Sequence, residues 1–271
     1  MWSNCNEQVV LDDIAKMAGS RPTNLDHSSA MISPTRDKAV VHVHGKGYWK
    51  YANKTPGSSG SYPGVCEELK VYHLLAAKRP GSFAYSEIGE EMSTNTGIGF
   101  FMYYADGDYS EAVPDIESLS RPLLDFYQLN NLQHKSWRAM WDTLGEFQQY
   151  VLSGDMEGQT PVGLVHRDFK PWNVKSGLKP LFYDFEAVDW AGCPLEDLFN
   201  YVLEPIVRHA STSKVLKTLL RIEPLAQDWL RQLGIGGEGW QRYWRWYCLQ
   251  RAWSHRHELA VSKLYLGMLT L

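Results

Sequence analysis

Residues 165–189 read VHRDFKPWNVKSGLKPLFYDFEAVD. Asp168 stands five residues before Asn173, and Asp184 stands eleven after it. Short apolar segments flank these polar positions, and they predict β segments at 164–166, 174–175 and 181–183, with a Ser176-Gly177 turn. A strand-turn-strand between Asn173 and Asp184 is expected to bring Asp168, Asn173 and Asp184 into one cleft. Asp184 is a hard anionic oxygen ligand suited to Mg²⁺, and Asn173 offers a neutral amide oxygen. In phosphoryl transfer, Mg²⁺ takes one or two such protein ligands plus phosphate oxygens. Asp168 is then left to accept a hydroxyl proton and orient a nucleophile. Any one of these residues could merely cap a turn. The ordered set of His166, Asp168, Asn173 and Asp184 is what carries the chemistry.

This string resembles the kinase catalytic loop H-x-D-x-x-x-x-N followed by a D-F-x metal motif. Arg167 before the aspartate and Lys170 two after it are similar to protein kinases. Pro171-Trp172-Asn173 and Asp184-Phe185-Glu186 resemble instead the aminoglycoside phosphotransferase and choline kinase superfamily of small-molecule kinases. Residues 192–198, GCPLEDL, are similar to that superfamily's G-x-P-x-x-D-L segment. The resemblance covers residues from about 35 to about 205. It implies an α/β (α+β) protein-kinase-like fold with two lobes. A nucleotide-binding lobe over 1–106 would hold an antiparallel sheet with one helix. A mainly helical lobe over 107–271 would hold the catalytic and acceptor-binding groups. It also implies ATP and Mg²⁺ as cofactors, Asp168 and Lys170 as catalytic residues, and Asn173 and Asp184 as metal ligands.

Loop length separates the two kinds of kinase. Only seven residues lie between Glu186 and Pro194. A peptide-docking activation segment needs more chain than that. The acceptor is therefore expected to be a small molecule, with Arg167 as a structural ion-pair partner.

The nucleotide phosphates also need a cation from the first lobe. Lys38 to His44, KAVVHVH, alternates as a strand, and Tyr48 to Ala52, YWKYA, returns from a Gly45–Gly47 turn. Lys50 lies mid-strand, at the position matching the superfamily's strand lysine. A loop from Lys54 to Gly64 precedes a helix over 65–78. At 100° per residue, Glu68 falls inside the arc of Leu69, Tyr72, Leu75 and Ala76, while Glu67 falls at its margin. A carboxylate on a core-facing surface is costly unless paired, so Glu68 is expected to pair with Lys50. Segments 82–92 and 97–105 read as a further strand pair. The end of the second resembles the superfamily's hinge, which implies adenine contacts from the Tyr103 carbonyl and the Ala105 amide. The turn at Ser33–Asp37 has no glycine, unlike most phosphate loops, so Ser33, Thr35 or Arg36 would have to grip the phosphates.

Composition narrows the rest. The 271 residues are 44% hydrophobic and 21% charged, which excludes a disordered chain. The net charge of −4 gives no basic excess for nucleic acid. The longest apolar run, 97–105, is far below the ~20 residues of a membrane span. Four scattered cysteines form no metal-type pair, and a cytoplasmic protein is expected. Trp137, Met140, Trp141, Leu144, Phe147 and Val151 predict one core helix, and helices are expected from Pro194 onward. His42 and His44 share a strand face without a third metal ligand. Tryptophans are numerous, and packing is their default role, with some able to wall a sugar site. From Ala191 onward there are ten Lys and Arg against seven Asp and Glu. Arg242, Arg245 and Arg256 would cluster on a helix over 240–258 and attract a phosphate or carboxylate. The expected activity is ATP- and Mg²⁺-dependent phosphorylation of a hydroxyl on a small molecule, a carbohydrate or glycan precursor above others. An antibiotic-modifying kinase is the near alternative, and an inactive nucleotide-binding module or a protein kinase are more distant ones.

Overall fold

In a computed structural model, the described residues are 30–33, 38–43, 45–54, 61–209 and 211–270. His44, Pro34–Asp37 and loop residues 55–60 lie outside them, so Thr35 and Arg36 do too. The chain divides into two compact units. One comprises residues up to Tyr109 together with Gly177–Val188, and the other Ser110–Ser176 together with Asp189–Leu271.

The first unit is built on an antiparallel five-stranded sheet in the order β1-β2-β3-β5-β4. Its strands are β1 (Ala30–Ser33), β2 (Lys38–Val43), β3 (Gly47–Asn53), β4 (Ile88–Ser93) and β5 (Gly97–Tyr103). The alternation in KAVVHV and YWKYA sorts side chains to two faces. Ala39, Val41, Trp49, Tyr51 and Phe101 form one buried cluster. Lys50 pairs in register with Val40 and Phe100, so these three belong to the opposite face. Helix α1 spans Ser61–Lys78. It starts four residues before the expected Val65, because Pro63 is tolerated in a first helical turn. Its buried side includes Val65, Glu68, Leu69, Tyr72 and Leu75. The Tyr72 ring lies 5.7 Å from Phe100 and 5.3 Å from Phe185. Strand β4 starts later than expected, since 82–87 carries only an isolated bridge from Ala84 to Leu181. Phe83 and Phe182 stack beside that bridge at 4.6 Å.

The second unit holds helix α2 (Ile116–Tyr127) and a three-stranded antiparallel sheet of β6 (Gln133–Ser136), β7 (Gln159–Val165) and β8 (Asp189–Gly192). The order is β8-β7-β6. The single helix expected from Trp137 to Val151 is corrected here. Helix α3 covers only Trp137–Trp141, and a 3-10 segment follows over Asp142–Tyr150. Gly145 breaks it with φ 55° and ψ −126°, a conformation closed to other residues. The apolar spacing survives because Trp137, Met140, Trp141, Leu144 and Phe147 are still buried. Helices α4 (Glu196–Leu203), α5 (Thr212–Gln232), α6 (Trp240–Ser254) and α7 (Leu259–Gly267) complete the unit. Trp141 and Trp246 meet edge to face at 5.1 Å, as do Phe199 and Trp244 at 5.4 Å. Among the described residues, no helix is long and apolar enough to cross a membrane.

Candidate active site

The His166–Asn173 segment emerges from the C-terminal end of β7. Arg167 has φ 63°, a left-handed conformation that costs a non-glycine residue free energy. Several bonds hold it there. Asp197, at the start of α4, accepts the backbone N–H of His166 at 2.7 Å and of Arg167 at 2.9 Å. The Asn200 amide donates to the Arg167 carbonyl at 2.8 Å. The Arg167 guanidinium lies 3.6 Å from both Asp189 and Glu196, which gives it the ion-pair role expected from the short loop. Burial pushes the Asp197 carboxyl up to about 7, against the pull of the two amides. Neither Asp197 nor Asn200 was assigned a role from sequence. The Asp of P-x-x-D-L was visible there, but nothing local says that it reaches back thirty residues.

Past this turn, Asp168 is half-buried and doubly tethered. The Lys170 ammonium lies 2.5 Å from its Oδ1, and the Asn173 amide donates to its Oδ2 at 3.0 Å. The same Asn173 nitrogen donates to the Asp168 carbonyl at 2.8 Å. With that nitrogen engaged, the Asn173 side-chain oxygen is the donor atom left for a cation. Pro171 fixes the geometry, since a residue before proline is held extended, and Lys170 is extended with φ −130° and ψ 160°. The three expected residues of this unit, Asp168, Lys170 and Asn173, therefore form one bonded group.

The first unit holds the other set. Lys50 is buried in β3, and its ammonium contacts three carboxylates: Glu68, Glu186 and, at 2.9 Å, Asp184. Lys38 also bonds Glu186. Glu68 is buried, while Glu67 pairs with Lys70 at the surface. This matches the expected choice of Glu68 as the lysine's partner. Burial works against the Lys50 charge, but the three carboxylates outweigh it and hold its pKa well above the ordinary value. Burial raises the Glu68 carboxyl to about 7, with Lys50 opposing. Asp184 sits at φ 65° and ψ 58° at the head of a short 3-10 turn over Phe185–Ala187. Gly64 of α1 faces that turn so closely that a Cβ there would lie 3.2 Å from the Glu186 carbonyl. Carboxylate oxygens of Glu68, Asp184 and Glu186 all lie within 4.8 Å of one another. Such hard oxygens suit Mg²⁺, so the residues present fit the metal. Glu186 was not among the expected site residues. Its signal was a carboxylate where protein kinases carry glycine.

Tyr103 and Ala105 lie elsewhere in the first unit. They line a cavity of about 1020 Å³ together with Lys46, Tyr104, Tyr109 and Leu178. Lys50 is not part of that wall. His42 bonds the Tyr104 hydroxyl, and its ring lies 5.1 Å from Tyr48.

The expected arginine cluster needs correction. Helix α6 ends at Ser254, so Arg256 is not on it, and its guanidinium lies over Trp253. Arg245 makes a two-bond contact with buried Asp155 at 2.5 and 2.6 Å. Arg242 donates to the Glu157 and Gly154 carbonyls and covers Trp137. Arg242 and Arg245 are thus engaged within the unit, and with Arg256 beyond the helix end the three do not share one helix face.

No protein-family model matches the chain, and no curated protein matches it by sequence. Solved structures match it by fold. A thermostable mutant of aminoglycoside phosphotransferase APH(4)-Ia, in ternary complex with ADP and hygromycin B, matches with a TM-score of 0.59. The identity is 13%, over 96% of this chain and 98% of that one. A second mutant with AMP-PNP and hygromycin B gives 0.58 at 12% identity, over 96% and 97%. An apo form gives 0.51 at 13%, over 86% and 90%. The chain has the protein-kinase-like fold of the aminoglycoside phosphotransferases.

Proposed function

We propose that the protein transfers the γ-phosphoryl group of ATP to a hydroxyl of a small molecule, with a carbohydrate or glycan precursor as the acceptor class. The observation that carries this reading is Lys50, a buried ammonium gathering Glu68, Asp184 and Glu186. A lysine so placed is suited to hold nucleotide phosphates, and the carboxylates around it to hold their metal. The matched APH(4)-Ia structures contain ADP or AMP-PNP with hygromycin B, which supports a nucleotide and a small-molecule acceptor here. Tyr103 and Ala105 are assigned to the adenine.

In this mechanism Asp168 takes the proton of the acceptor hydroxyl. The acceptor oxygen forms a bond to the γ-phosphorus as the bond to the bridging oxygen breaks, and ADP leaves with that electron pair. Lys170 holds the Asp168 carboxylate in place and offers its charge to the transferring group. Asp184 and Asn173 are assigned as Mg²⁺ ligands. When bound, the metal neutralises phosphate charge in the transition state. Asp197 acts through the loop it clamps and is a positioning residue.

Asp168→Asn tests the assignment. It keeps shape but loses the proton acceptor, so turnover should fall roughly 10²–10⁴-fold while nucleotide affinity stays close to wild type. Near-normal turnover in this variant, followed as ADP release with neutral sugars, aminoglycosides and a generic protein as separate acceptor pools, removes Asp168 from the chemistry. Phosphate on the aminoglycoside pool alone would replace the carbohydrate acceptor by an antibiotic one.

A further inference from the structure

We propose that Trp172 is the platform on which the acceptor's ring stacks, and that it selects an uncharged sugar ring. This rests on the phosphotransferase reading above and assigns its acceptor side. Eleven tryptophans occur in the chain, and ten fall among the described residues. Seven of those are buried and two partly so, while Trp172 alone is exposed, at 58%. An indole has a larger apolar surface to bury than almost any other side chain, so leaving it in water calls for a reason. Its place in the chain supplies one. It lies between Pro171 and Asn173, four residues after Asp168, in a 3-10 turn that the extended Lys170 and the proline hold in one shape.

One lysine ties the ring to the proton acceptor. The Lys170 ammonium is 2.5 Å from Asp168 Oδ1 and 5.6 Å from the Trp172 ring centroid. A pyranose is about as wide as an indole. It has an apolar C–H face to lay on the ring and hydroxyls around its rim. With the ring on Trp172, a rim hydroxyl can point along the direction in which Lys170 leads to Asp168. Proximity of that kind is what a positioned acceptor needs.

The same lysine sets the charge preference. Lys170 already places a cation at the indole, so an acceptor ammonium stacked there would meet a like charge at short range. A hydroxylated neutral ring meets no such penalty. The carboxylate that Lys170 touches, Asp168, is already tied to that ammonium and to the Asn173 amide. Glu204, whose charge Lys170 helps to stabilise, is taken by Arg251 and by the Tyr265 hydroxyl at 2.6 Å.

The test labels the full-length protein with 5-fluorotryptophan and assigns the Trp172 fluorine resonance by its loss in Trp172→Phe. The probes are a pool of neutral methyl hexosides and, separately, hygromycin B and kanamycin, each at millimolar concentration. The hexosides are expected to shift or broaden the Trp172 resonance and leave the buried tryptophans unmoved. With the acceptor that the hexoside pool yields, Trp172→Ala should raise acceptor KM about tenfold or more at unchanged ATP KM. Trp172→Phe should bring it back to within about threefold. No change at Trp172 with any neutral hexoside overturns the proposal, whether or not phosphate is transferred, and so does a change with the aminoglycosides alone. A hexoside-dependent shift without any phosphate transfer upholds the platform and overturns the kinase reading instead.

Discussion

Asp184 shows how much one residue is asked to do. It holds a left-handed backbone at φ 65°, and its carboxylate touches the Lys50 ammonium at 2.9 Å. Non-glycine residues enter that region at a cost, and Asn and Asp enter it more readily than others. Arg167, at φ 63° in the other unit, sits in the same region and directly precedes Asp168. Strain of this kind persists only where the surroundings fix it, as the bonds to Asp197 and Asn200 do for Arg167. For Asp184, the conformation and the charge can be separated by substitution. Asp184→Asn keeps a residue suited to the left-handed turn and removes the anion. The variant should melt within a few degrees of wild type. Its affinity for ATP without metal should barely change, while the gain on adding Mg²⁺ should largely vanish. Calorimetric titrations with ATP, with and without Mg²⁺, read this directly. An equal loss in both conditions would make Asp184 a structural residue.

At the scale of elements, some of the fold was readable from local pattern and some was not. The alternation of KAVVHV and YWKYA gave β2 and β3 within a residue or two, since period-two patterning is a property of the strand itself. The apolar arc of α1 singled out Glu68 over Glu67 for the same reason. The tryptophan-rich segment after β6 failed as a helix because one glycine outweighs a correct apolar spacing. Gly145 has nothing within 4 Å of where a Cβ would lie, so Gly145→Ala should destabilise through backbone strain alone, by about 1–3 kcal/mol. Urea melts would measure that, with the 3-10 segment's apolar residues still buried. The partners of Asp197, Glu186 and Glu204 could not be read at all, since each contact joins residues far apart in sequence. Glu204 carries a pH signature. Burial raises its pKa, but Arg251 and the Tyr265 hydroxyl outweigh that and hold it below the ordinary 4.5. The unfolded chain therefore binds this proton more readily, and the group stabilises the fold above about pH 4.5 and less as pH falls through its native value. The stability gap between wild type and Glu204→Gln should thus be widest near neutrality and close on acidification. A gap that is constant from pH 7 to pH 3 would mean the carboxylate is not held ionised.

At the scale of the whole molecule, the chain leaves and re-enters its first unit. Gly177–Val188 belongs with the residues up to Tyr109, although sixty-seven residues of the second unit intervene. A division at residue 106 leaves this return out, because nothing in the local sequence marks it. Its contribution is large. Phe182 stacks on Phe83, Phe185 packs on Tyr72, and Asp184 and Glu186 supply two of the three carboxylates around Lys50. Removing one buried phenylalanine side chain typically costs about 3–5 kcal/mol. Losing two amounts to most of the ~5–15 kcal/mol that stabilises a typical native protein, before counting the carboxylates taken from a buried ammonium. A fragment ending at Tyr109 should therefore lack a cooperative urea transition and bind a hydrophobic dye. Joining Gly177–Val188 to it through a flexible glycine-serine linker should restore a sigmoidal transition and release the dye. Carrying Phe182→Ala and Phe185→Ala together in that fusion should abolish the restoration, while Lys179→Ala in the same segment should not. A sharp transition in the shorter fragment would mean that the returning segment decorates a unit already stable without it.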